Sequence, residues 1–593
     1  MTRSAIPLRL IEPGDQGAET GGAVVSLRRP ARKQAVLLVG LYSSRYAAIG
    51  ESHGLSVLAG VLAAAPDVVA RVEVLDMAAY GEEQPDRIVA AIRANDPDVI
   101  GIAVPYGAYS VLEAAHPAIR EAAEAVGARL VFGGALATYL ASDVLAIAPN
   151  GVVASGEGEA SLMALLTLWA HGYDDLDDVP GVSFLRHDRV VTTNRSLAAL
   201  ATIPPPSRDH VVEIARAGGQ VYAESSRACS WAACTFCLRG LTDIDGRPRE
   251  YRRFPARRLA TDLRRLHELG IESVVFADED FLGNDIEAVG GFLDELSDLV
   301  TPDVIPAFEF STTIHSVYRH EDDRPTNLAR VAVLDRLRPL GLRKVFLGIE
   351  SGCDSQLRRY AKGHLAEECA AAIYRVRAAG LRLEVGFIMF DPLCTLAEVA
   401  DNVAFIRRTG IVTDISAVTN ELRLQTGSRY LHILERRERE AGHQFYERSF
   451  DKDTLSHSYS YADPDVARLI AGIRPIAHAL QGVTYPLKNV SRHGEGTPAA
   501  DELRGVLARW RDGTLTAIEA GIDAARDGLD PRTATQDGMH EAAWRLAAEA
   551  IGAHRRLPAE VRDHAVLLGA IDGCRTLLDD PESLLRADPT VAP

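Results

Sequence analysis

Long hydrophobic runs are scarce in this 593-residue sequence, and its 64 basic residues are outnumbered by 82 acidic ones. The most apolar stretch, Leu55 to Ala70, is interrupted by Gly60, Pro66 and Asp67, so no segment has the length needed to span a membrane. The formal net charge is −18, which argues against broad binding to a phosphate backbone because such binding needs a basic face. We therefore expect neither a membrane nor a nucleic acid as a partner.

Cysteine is also rare, and its pattern does not predict a disulfide framework. There are seven cysteines, an odd number, and three of them fall within nine residues. A reducing cytoplasm suits free thiolates, and we expect the protein there. Residues 1–33 mix glycine, proline and charge without the apolar core of a signal peptide, so residues 1–34 are predicted to form a loose arm.

The three clustered cysteines are Cys229, Cys234 and Cys237, and they follow a short apolar run that predicts a buried strand. The carboxyl ends of strands in α/β sheets and barrels are where ligands bind. Zinc needs four ligands, and no fourth cysteine or Cys/His pair follows at finger spacing. A 4Fe–4S cluster usually takes four cysteines, so three would leave one iron open. The alternatives are a structural metal with a distant fourth ligand, or three buried thiols.

This cysteine loop, with Phe236 before its last cysteine, resembles that of the radical SAM superfamily, whose usual form is CxxxCxxC. It departs by one residue, because four residues separate Cys229 from Cys234. The resemblance implies that the thiolates hold a 4Fe–4S cluster and that S-adenosylmethionine (SAM) binds its open iron, with Phe236 among the SAM contacts. It also implies an external one-electron donor such as flavodoxin or ferredoxin.

Residues 220–426 alternate short apolar runs with amphipathic stretches, which predicts a parallel sheet with helical crossovers. Strands are predicted at Gln220–Ser225, Ser273–Ala277, Ala307–Ser311, Lys344–Ile349, Glu384–Phe390 and Ser416–Leu424. Helices are predicted at Ala256–Leu269, Ile286–Val300, Asn327–Leu340, Ala366–Ala379 and Leu396–Thr409. Six such strands match the core fold of the superfamily, a partial (β/α)6 TIM barrel.

Polar groups follow three of these strands at the end where a barrel binds its ligand. Asp278 and Glu279 close the second strand, Ser311 the third, and Glu350 the fourth. Each alone is typical of a solvated strand end or a helix cap, and Asp285 is predicted to be such a cap. By resemblance to the superfamily, the acidic pair implies a site for the SAM amino group, and the Gly-Ile-Glu-Ser-Gly run around Glu350 a site near the SAM ribose.

Residues 35–172 predict a second α/β domain, a doubly wound, Rossmann-like parallel sheet. Its strands are predicted at Ala35–Gly40, Arg71–Asp76, Asp98–Val104, Arg129–Gly133 and Gly151–Ala154, with helices such as Pro85–Asn95 and Val111–Val126. No G-x-G-x-x-G follows the first strand, which disfavours a dinucleotide site. Small residues at the strand ends would let a large flat ligand approach the backbone, or would simply form tight turns.

The order of these glycines resembles the cobalamin-binding domain that precedes one class of radical SAM enzymes. The resemblance implies cobalamin contacts at Tyr106, Gly107, Gly133, Gly134, Ser155, Gly156, Glu157 and Gly158. The D-x-H-x-x-G motif, whose histidine binds cobalt in other cobalamin proteins, is absent. His53 lacks an aspartate two residues before it, so we expect no histidine ligand from this domain. The lower face of the cobalt would then meet the loop from Tyr42 to Arg45.

The remaining chain is predicted to support these two domains. Residues 173–219 form a linker with a hairpin around His187 and Asp188. Residues 427–593 are predicted to be a helical cap that carries substrate contacts, with a break at Lys488–Pro498 and a tail from Arg586. Four tyrosines could line the cap or belong to its core: Tyr446, Tyr459, Tyr461 and Tyr485. Cys369 and Cys574 are predicted to be packed in helices, whereas Cys353 and Cys394 follow strand ends and could approach the site.

Taken with the resemblance, the sequence predicts a cobalamin-dependent radical SAM enzyme. The expected reaction is reductive cleavage of SAM to a 5′-deoxyadenosyl radical, hydrogen abstraction from an unactivated carbon, and methyl transfer from methylcobalamin, in natural-product biosynthesis. The expected substrate is a small molecule or a peptide. One alternative is a non-methylating rearrangement or cyclisation. Another is a sensor without turnover, which would need no acidic grip on SAM.

Overall fold

The computed structural model describes residues 32–43, 50–80, 85–238, 251–493, 497–563 and 565–580. Most of the predicted arm, the predicted tail from Arg586, and part of the Tyr42–Arg45 loop lie outside this range. The chain divides into two compact units. The first is residues 1–222 with two short segments, 268–271 and 452–454, and the second is the rest.

A seven-stranded sheet organises the first unit. Its strands are β1 (Gln34–Gly40), β2 (Val69–Asp76), β3 (Val99–Ala103), β4 (Arg129–Gly133), β5 (Val152–Ala154), β6 (Val182–Arg186) and β7 (Arg189–Thr192), in the order β2-β1-β3-β4-β5-β6-β7. The first five strands pair in parallel, as predicted, and β6 and β7 pair antiparallel. The region predicted as a linker therefore extends the sheet with the predicted hairpin, whose turn residues His187 and Asp188 both have positive φ.

Every residue of β1 is buried. A strand covered on both faces has a continuous apolar sequence, here Ala35 to Val39, because it has no solvent face to alternate with. The helices of this unit are α1 (His53–Ala63), α2 (Pro85–Asn95), α3 (Tyr109–Val126), α4 (Ala135–Tyr139), α5 (Ala141–Ile147), α6 (Gly158–Ala170) and α7 (Val211–Arg216). They supply the parallel crossovers, so the carboxyl ends of β1 and β3 to β5 share one edge of the sheet.

A five-stranded sheet organises the second unit. Its strands are β8 (Tyr222–Ala223), β11 (Ser273–Phe276), β12 (Ala307–Thr312), β13 (Leu342–Glu350) and β14 (Arg382–Phe387), in the order β14-β13-β12-β11-β8. The pairs from β11 to β14 are parallel. A separate antiparallel pair joins β9 (Ser226–Arg227) to β10 (Arg252–Arg253). The sixth predicted strand, Ser416–Leu424, forms no regular ladder: it lies beside the fifth strand's end through an isolated Phe390–Glu421 bridge.

The helices after the first unit are α8 (Ala256–Glu268), α9 (Ile286–Leu299), α10 (Ile314–Val317), α11 (Arg324–Leu337), α12 (Asp354–Arg359), α13 (Ala366–Ala378), α14 (Leu396–Thr409), α15 (Arg429–Ala441), α16 (Pro464–Ala479), α17 (Gln481–His493), α18 (Pro498–Arg526), α19 (Pro531–His554), α20 (Ala559–Arg562) and α21 (Ala565–Asp579). Asp285 caps α9 through the Ala288 amide at 3.0 Å, which confirms the predicted cap. The helix α17 extends into the predicted break at Lys488. None of the described helices is long and apolar enough to cross a membrane.

Candidate functional site

The cysteine loop leaves the carboxyl end of β8 and turns sharply around Cys229. Ala228 and Ala232 both adopt positive φ, 65° and 48°, a conformation that non-glycine residues rarely take. None of the three cysteines forms a disulfide within the described residues, and all three are partly buried. Strained backbone of this kind is characteristic of functional loops whose surroundings fix their shape. The additional residue in the first gap thus lies in a tight turn and does not lengthen an open loop.

Consecutive carbonyl groups of one short segment, residues 359–361, hold this loop. The Arg359 carbonyl accepts a hydrogen bond from the Thr235 hydroxyl at 3.0 Å, and the Tyr360 carbonyl accepts one from the Thr235 amide at 3.0 Å. The Ala361 carbonyl accepts one from the indole nitrogen of Trp231 at 2.9 Å. We call residues 359–363 the cradle segment. It fixes the loop on both sides of Cys234.

Gly363 completes the cradle segment because no side chain would fit there. Its φ is +70°, and an added Cβ would lie 2.2 Å from the Trp231 ring. The opposite contact of Trp231 is the His315 ring, with centroids 4.3 Å apart. His315 in turn bonds the Lys362 carbonyl at 2.9 Å. The indole of the cysteine loop is therefore enclosed between the cradle segment and the short helix α10 that follows β12.

A buried ammonium group, that of Lys362, lies beside the cysteines. Its Nζ is 3.9 Å from Glu350 Oε1, and its charge also acts on the Cys234 thiol. Burial alone would lower the pKa of Lys362, but Cys234 and Glu350 raise it above its ordinary value. Burial raises the pKa of the Cys234 thiol, and Lys362 opposes that rise. Lys362 thus places a positive charge beside the cysteine sulfurs, which carry negative charge as thiolates.

Glu350 ends β13 in a left-handed conformation, with φ at 71°. Its carboxylate occupies the space left by two glycines on neighbouring strands: a Cβ on Gly348 would lie 3.0 Å from Oε1, and one on Gly386 3.3 Å from both oxygens. Burial raises the pKa of Glu350, against the effect of Lys362. The predicted site residue is therefore held in a strained, largely enclosed position next to Lys362 and Cys234.

The two aspartates after β11 are both buried but serve different neighbours. Asp278 accepts hydrogen bonds from the Ser225 amide at 3.0 Å and from the hydroxyls of Ser225 and Ser226, and burial raises its pKa to about 6. Asp280 accepts from the hydroxyls of Ser230 and Thr312. The predicted contact Asp278 is thus occupied in fixing the start of the cysteine loop, whereas Glu279 between them is only partly buried.

The predicted contacts Ser311 and Phe236 lie at the same end of the strands. Ser311, in β12, accepts the Phe281 amide at 2.9 Å through its carbonyl. Phe236 packs edge-on against Tyr360 of the cradle segment, with centroids 5.4 Å apart. The structure therefore brings the cysteine loop, Glu279, Ser311 and Glu350 to one edge of the sheet. Whether these residues touch SAM stays a prediction.

The donor set is three cysteine thiols, the ligand type that iron–sulfur clusters take. Within the described residues, no three His, Cys, Asp or Glu side chains converge on one point as a single-ion site requires. A multi-iron cluster instead takes each thiolate on a different iron, so its thiols need not converge. Burial and Asp280 raise the pKa of Cys229 to about 11, so metal binding at this loop must release protons.

In the first unit, the corresponding strand ends are built from glycine and backbone. Gly107, Gly134 and Gly156 have positive φ of 85°, 89° and 81°. A Cβ on Gly134 would lie 3.2 Å from the Val104 backbone, whereas one on Gly133 would meet nothing nearer than the Ala154 carbonyl at 3.7 Å. Open space above Gly133 at a backbone-lined edge fits a large flat ligand such as cobalamin.

Other predicted cobalamin contacts have structural partners within the first unit. Glu157 accepts the Ala198 amide at 2.8 Å, and the Ser155 amide donates to the Gly181 carbonyl at 2.9 Å. Gly158 begins α6, and Tyr106 and Gly107 lie in the turn between β3 and α3. Glu157 thus fixes the segment before β8, and the glycines remain the stronger candidates for close approach.

His53 has a carboxylate partner, although it lacks the aspartate of the cobalt-binding motif. Its Nδ1 lies 2.7 Å from Glu51 Oε1, two residues earlier, and Arg208 also pairs with Glu51 at 2.7 Å. All three side chains are buried or nearly so. Burial would raise the pKa of Glu51, but Arg208 and His53 hold it below its usual value. The absence of a histidine ligand to cobalt stays a prediction.

Several residues that the sequence placed near the site lie in the interior instead. Cys353 and Cys394, which could approach the site, are both buried, whereas Cys369 and Cys574 are packed in helices as predicted. Tyr446 is buried and Tyr485 half-exposed. The hydroxyls of Tyr459 and Tyr461 bond the Leu422 carbonyl and Glu421, which favours a core role for both.

A cleft of about 520 Å³ lies at the opposite, amino end of the strands, between Lys344, Arg382 and α18. Parallel-strand domains bind their ligands at carboxyl ends. We therefore do not assign the cleft to the site around the cysteine loop.

Comparison with known families agrees with this division of the chain. Residues 42–166 match the B12 binding domain, and residues 224–406 match the Radical SAM superfamily. The chain carries a B12-binding domain followed by a radical SAM domain. These domains imply cobalamin, a 4Fe–4S cluster and SAM as cofactors, the set predicted from the sequence.

A curated relative is 4′-phospho-dehydrooxetanocin synthase of Priestia megaterium. It is 28% identical over 367 residues, which is 60% of this chain and 48% of the relative. The chain thus matches about half the length of this relative.

Solved structures resemble the chain in fold. The cobalamin-dependent radical enzyme OxsB, with aqua-cobalamin and SAM bound, aligns with a TM-score of 0.77 at 19% identity, over 93% of this chain and 84% of that one. The radical SAM methyltransferase TsrM of Kitasatospora setae aligns with a TM-score of 0.55 at 17% identity, over 69% and 79%. At such identities the likeness shows the fold alone, and with OxsB it includes the helical C-terminal region.

Sequence reasoning missed the cradle segment, and with it Lys362. The signal available was weak: Ala361-Lys-Gly363 follows a short helix without any recognisable spacing to the cysteines. Asp280 was passed over because Asp278 and Glu279 precede it in the same turn. The cradle carbonyls could not be found because they act as backbone groups, which no residue type reveals.

Proposed function

We propose that the protein is a cobalamin-dependent radical SAM enzyme that removes a hydrogen atom from an unactivated carbon of a small-molecule substrate. The observation that carries the proposal is the three-cysteine loop with Lys362 and Glu350 beside it, in a chain that also has a B12-binding domain. A sensor without turnover would not need the enclosed carboxylate of Glu350. An external one-electron donor is part of the proposal.

The protein groups would bind and position, while the cofactors supply the difficult chemistry. When bound, the cluster and SAM supply reductive cleavage and an organic radical, and cobalamin supplies a methyl-carrying or electron-accepting cobalt. Cys229, Cys234 and Cys237 would hold the cluster, with Lys362 as their counter-charge. Glu279 and Glu350 would accept hydrogen bonds from the amino group and ribose of SAM.

Two outcomes for the substrate radical are supported by different observations. A rearrangement without methyl transfer is favoured by the curated relative, which is a synthase by name, and by the fold likeness to OxsB over nearly the whole chain. Methyl transfer to carbon is favoured by the resemblance seen in the sequence and by the likeness to TsrM. We put the rearrangement first because the synthase, at 28% identity, is more similar in sequence than TsrM, at 17%. We place both reactions in the biosynthesis of small molecules.

The test uses SAM itself as the probe, because SAM cleavage in radical enzymes can proceed without the native substrate. Anaerobically reconstituted protein with a chemical reductant should release 5′-deoxyadenosine, and the Cys234→Ala variant should not. Equal release by both proteins would overturn the proposal. With extracts of small molecules and SAM carrying a labelled methyl group, incorporation of the label into a product would indicate methyl transfer, and an unlabelled new product the rearrangement.

A further inference from the structure

The carboxylate of Asp391 lies in the interior and is among the most fully satisfied polar groups in the second unit. It follows β14 and has no exposed surface. Its oxygens accept five hydrogen bonds, with distances from 2.5 to 2.9 Å: from the side chains of Gln356, Arg359, Tyr360 and Tyr430 and from the Leu393 amide. Burial would raise the pKa of Asp391, but Arg359 and the other donors hold it below its usual value.

Three of the five donors also hold one residue of the cysteine loop. Thr235 follows Cys234, and its hydroxyl and amide bond the carbonyls of Arg359 and Tyr360 at 3.0 Å. Its carbonyl accepts the Tyr430 amide at 2.8 Å. Each of the three residues therefore bonds Thr235 through its backbone and Asp391 through its side chain.

This double use joins two parts of the chain that are remote in sequence. Arg359 and Tyr360 end α12, whereas Tyr430 begins α15. Without this common acceptor, the two buried hydroxyls would lose the partner they have here and the guanidinium would keep only its bonds to Glu398, which is costly in an interior of low dielectric. The side chains would then reorient, and the backbone groups on which Thr235 depends would move with them.

We infer that Asp391 is a positioning residue for the cysteine loop: through Arg359, Tyr360 and Tyr430 it fixes Thr235 and hence the spacing of Cys234 and Cys237. The inference rests on the proposed cluster site for its functional meaning, but the geometry it describes exists without a cluster. Small displacements of a ligand loop change the reactivity of the bound group more than the stability of the fold.

The main test measures how fast each cysteine of the cofactor-free full chain is alkylated by iodoacetamide, read by mass spectrometry of peptides. Asp391→Asn replaces one acceptor oxygen by an amide NH2 group. The groups that surround this side chain are all hydrogen-bond donors, so the new amide group finds no acceptor among them. Alkylation of Cys234 and Cys237 should become several-fold faster. Cys574, completely buried in α21, serves as the internal reference for general unfolding and should stay at the wild-type rate.

Glu438→Gln is the matched control. Glu438 is also a buried carboxylate with a lowered pKa, and it accepts the Phe445 amide at 2.7 Å and an Arg448 hydrogen bond, but it has no bond to Thr235 or its partners. This variant should leave the rates of Cys234 and Cys237 unchanged. Wild-type rates at both cysteines in Asp391→Asn would overturn the inference.

A smaller change tests the same inference in case the Asp391→Asn variant does not fold. Thr235→Val removes only the bond from the hydroxyl to the Arg359 carbonyl, and it should accelerate the same two cysteines to a smaller extent. In reconstituted protein, both variants should also alter the paramagnetic resonance line shape of the reduced cluster, whereas Glu438→Gln should not. If the wild type binds no iron, the proposed function fails, and the alkylation rates still decide the role of Asp391.

Discussion

The two units fill the carboxyl ends of their parallel strands in different ways. In the first unit, the turns after β3, β4 and β5 present glycine and backbone, with Gly107, Gly134 and Gly156 in the left-handed region. In the second, the loops after β8 and β13 present thiols and buried charge, with Lys362 between Cys234 and Glu350. The first edge is built mainly of glycine and backbone, and the second carries thiols and charged side chains.

The two edges can therefore offer different interactions to a ligand. A glycine edge gives close approach and backbone hydrogen bonds over a wide area, which suits a large flat molecule. A charged, enclosed edge gives strong, directed contacts to small charged groups and to metal, since buried charges interact strongly. We expect substitutions at one edge to remove one cofactor and leave the other bound.

The largest expected effect is at the charged edge. Cys234→Ala removes one of three thiolates, so reconstituted protein should lose the iron, about four per chain, expected of a complete cluster. Cobalamin binding should stay at the wild-type level, because the glycine edge is unchanged. Iron analysis and the visible spectrum measure the first effect, and cobalamin titration the second. An unchanged iron content would contradict the assignment of the loop.

The second-largest effect is expected at the glycine edge of the first unit. Gly133→Leu adds a side chain where the protein offers no neighbour within 3.7 Å, so the fold should tolerate it while the side chain occupies ligand space. Cobalamin affinity should fall about tenfold or more, from the cost of overpacking. Gly133→Ala, the matched smaller change, should weaken binding less. Equal affinity in all three proteins would mean that the ligand does not approach this strand end.

Much of this architecture could be predicted from the sequence. The parallel strands of both sheets and helices such as α2 and α14 lie where periodicity placed them, and α14 is bounded by a Thr395 cap and by Gly410. The region Ser416–Leu424 has the apolar residues of a strand, yet it lacks a continuous partner. Pairing is a tertiary property that propensity does not contain.

The site itself was only partly predictable. Thiols and carboxylates are identified by residue type, so Cys229, Glu279 and Glu350 could be named. The cradle segment acts through carbonyl groups, and Lys362 has no spacing relation to the cysteines, so neither could be found without coordinates. Asp278 was also named for SAM, which stays a prediction, and its hydrogen bonds with Ser225 and Ser226 could not be seen in the sequence.

A smaller effect is expected from Glu279, one of the acidic residues of the charged edge. Glu279→Ala should weaken SAM binding several-fold, because a hydrogen bond to a charged group would be lost. Equilibrium binding of SAM to reconstituted protein measures this. Asp285→Ala, which removes only the cap of α9, is the control and should leave SAM affinity unchanged. The assignment of Glu279 fails if both variants bind SAM as the wild type does.

The smallest effect expected is electrostatic. Lys362→Met keeps the length of the side chain and removes its charge, so the reduced, more negative cluster should lose stabilisation and the midpoint potential should become more negative. Redox titration followed by paramagnetic resonance measures the shift, with Lys362→Arg as the charge-preserving control. A potential equal to that of the wild type would show that the ammonium group does not act on the cluster.

The most direct test of the account is the paramagnetic resonance spectrum of the reduced, anaerobically reconstituted protein, recorded without and with SAM. Three thiolates on a cluster of four irons leave one iron accessible, so the spectrum should change when SAM is added. A single zinc ion closed by four ligands, or a cluster signal that SAM leaves unaltered, would contradict the account.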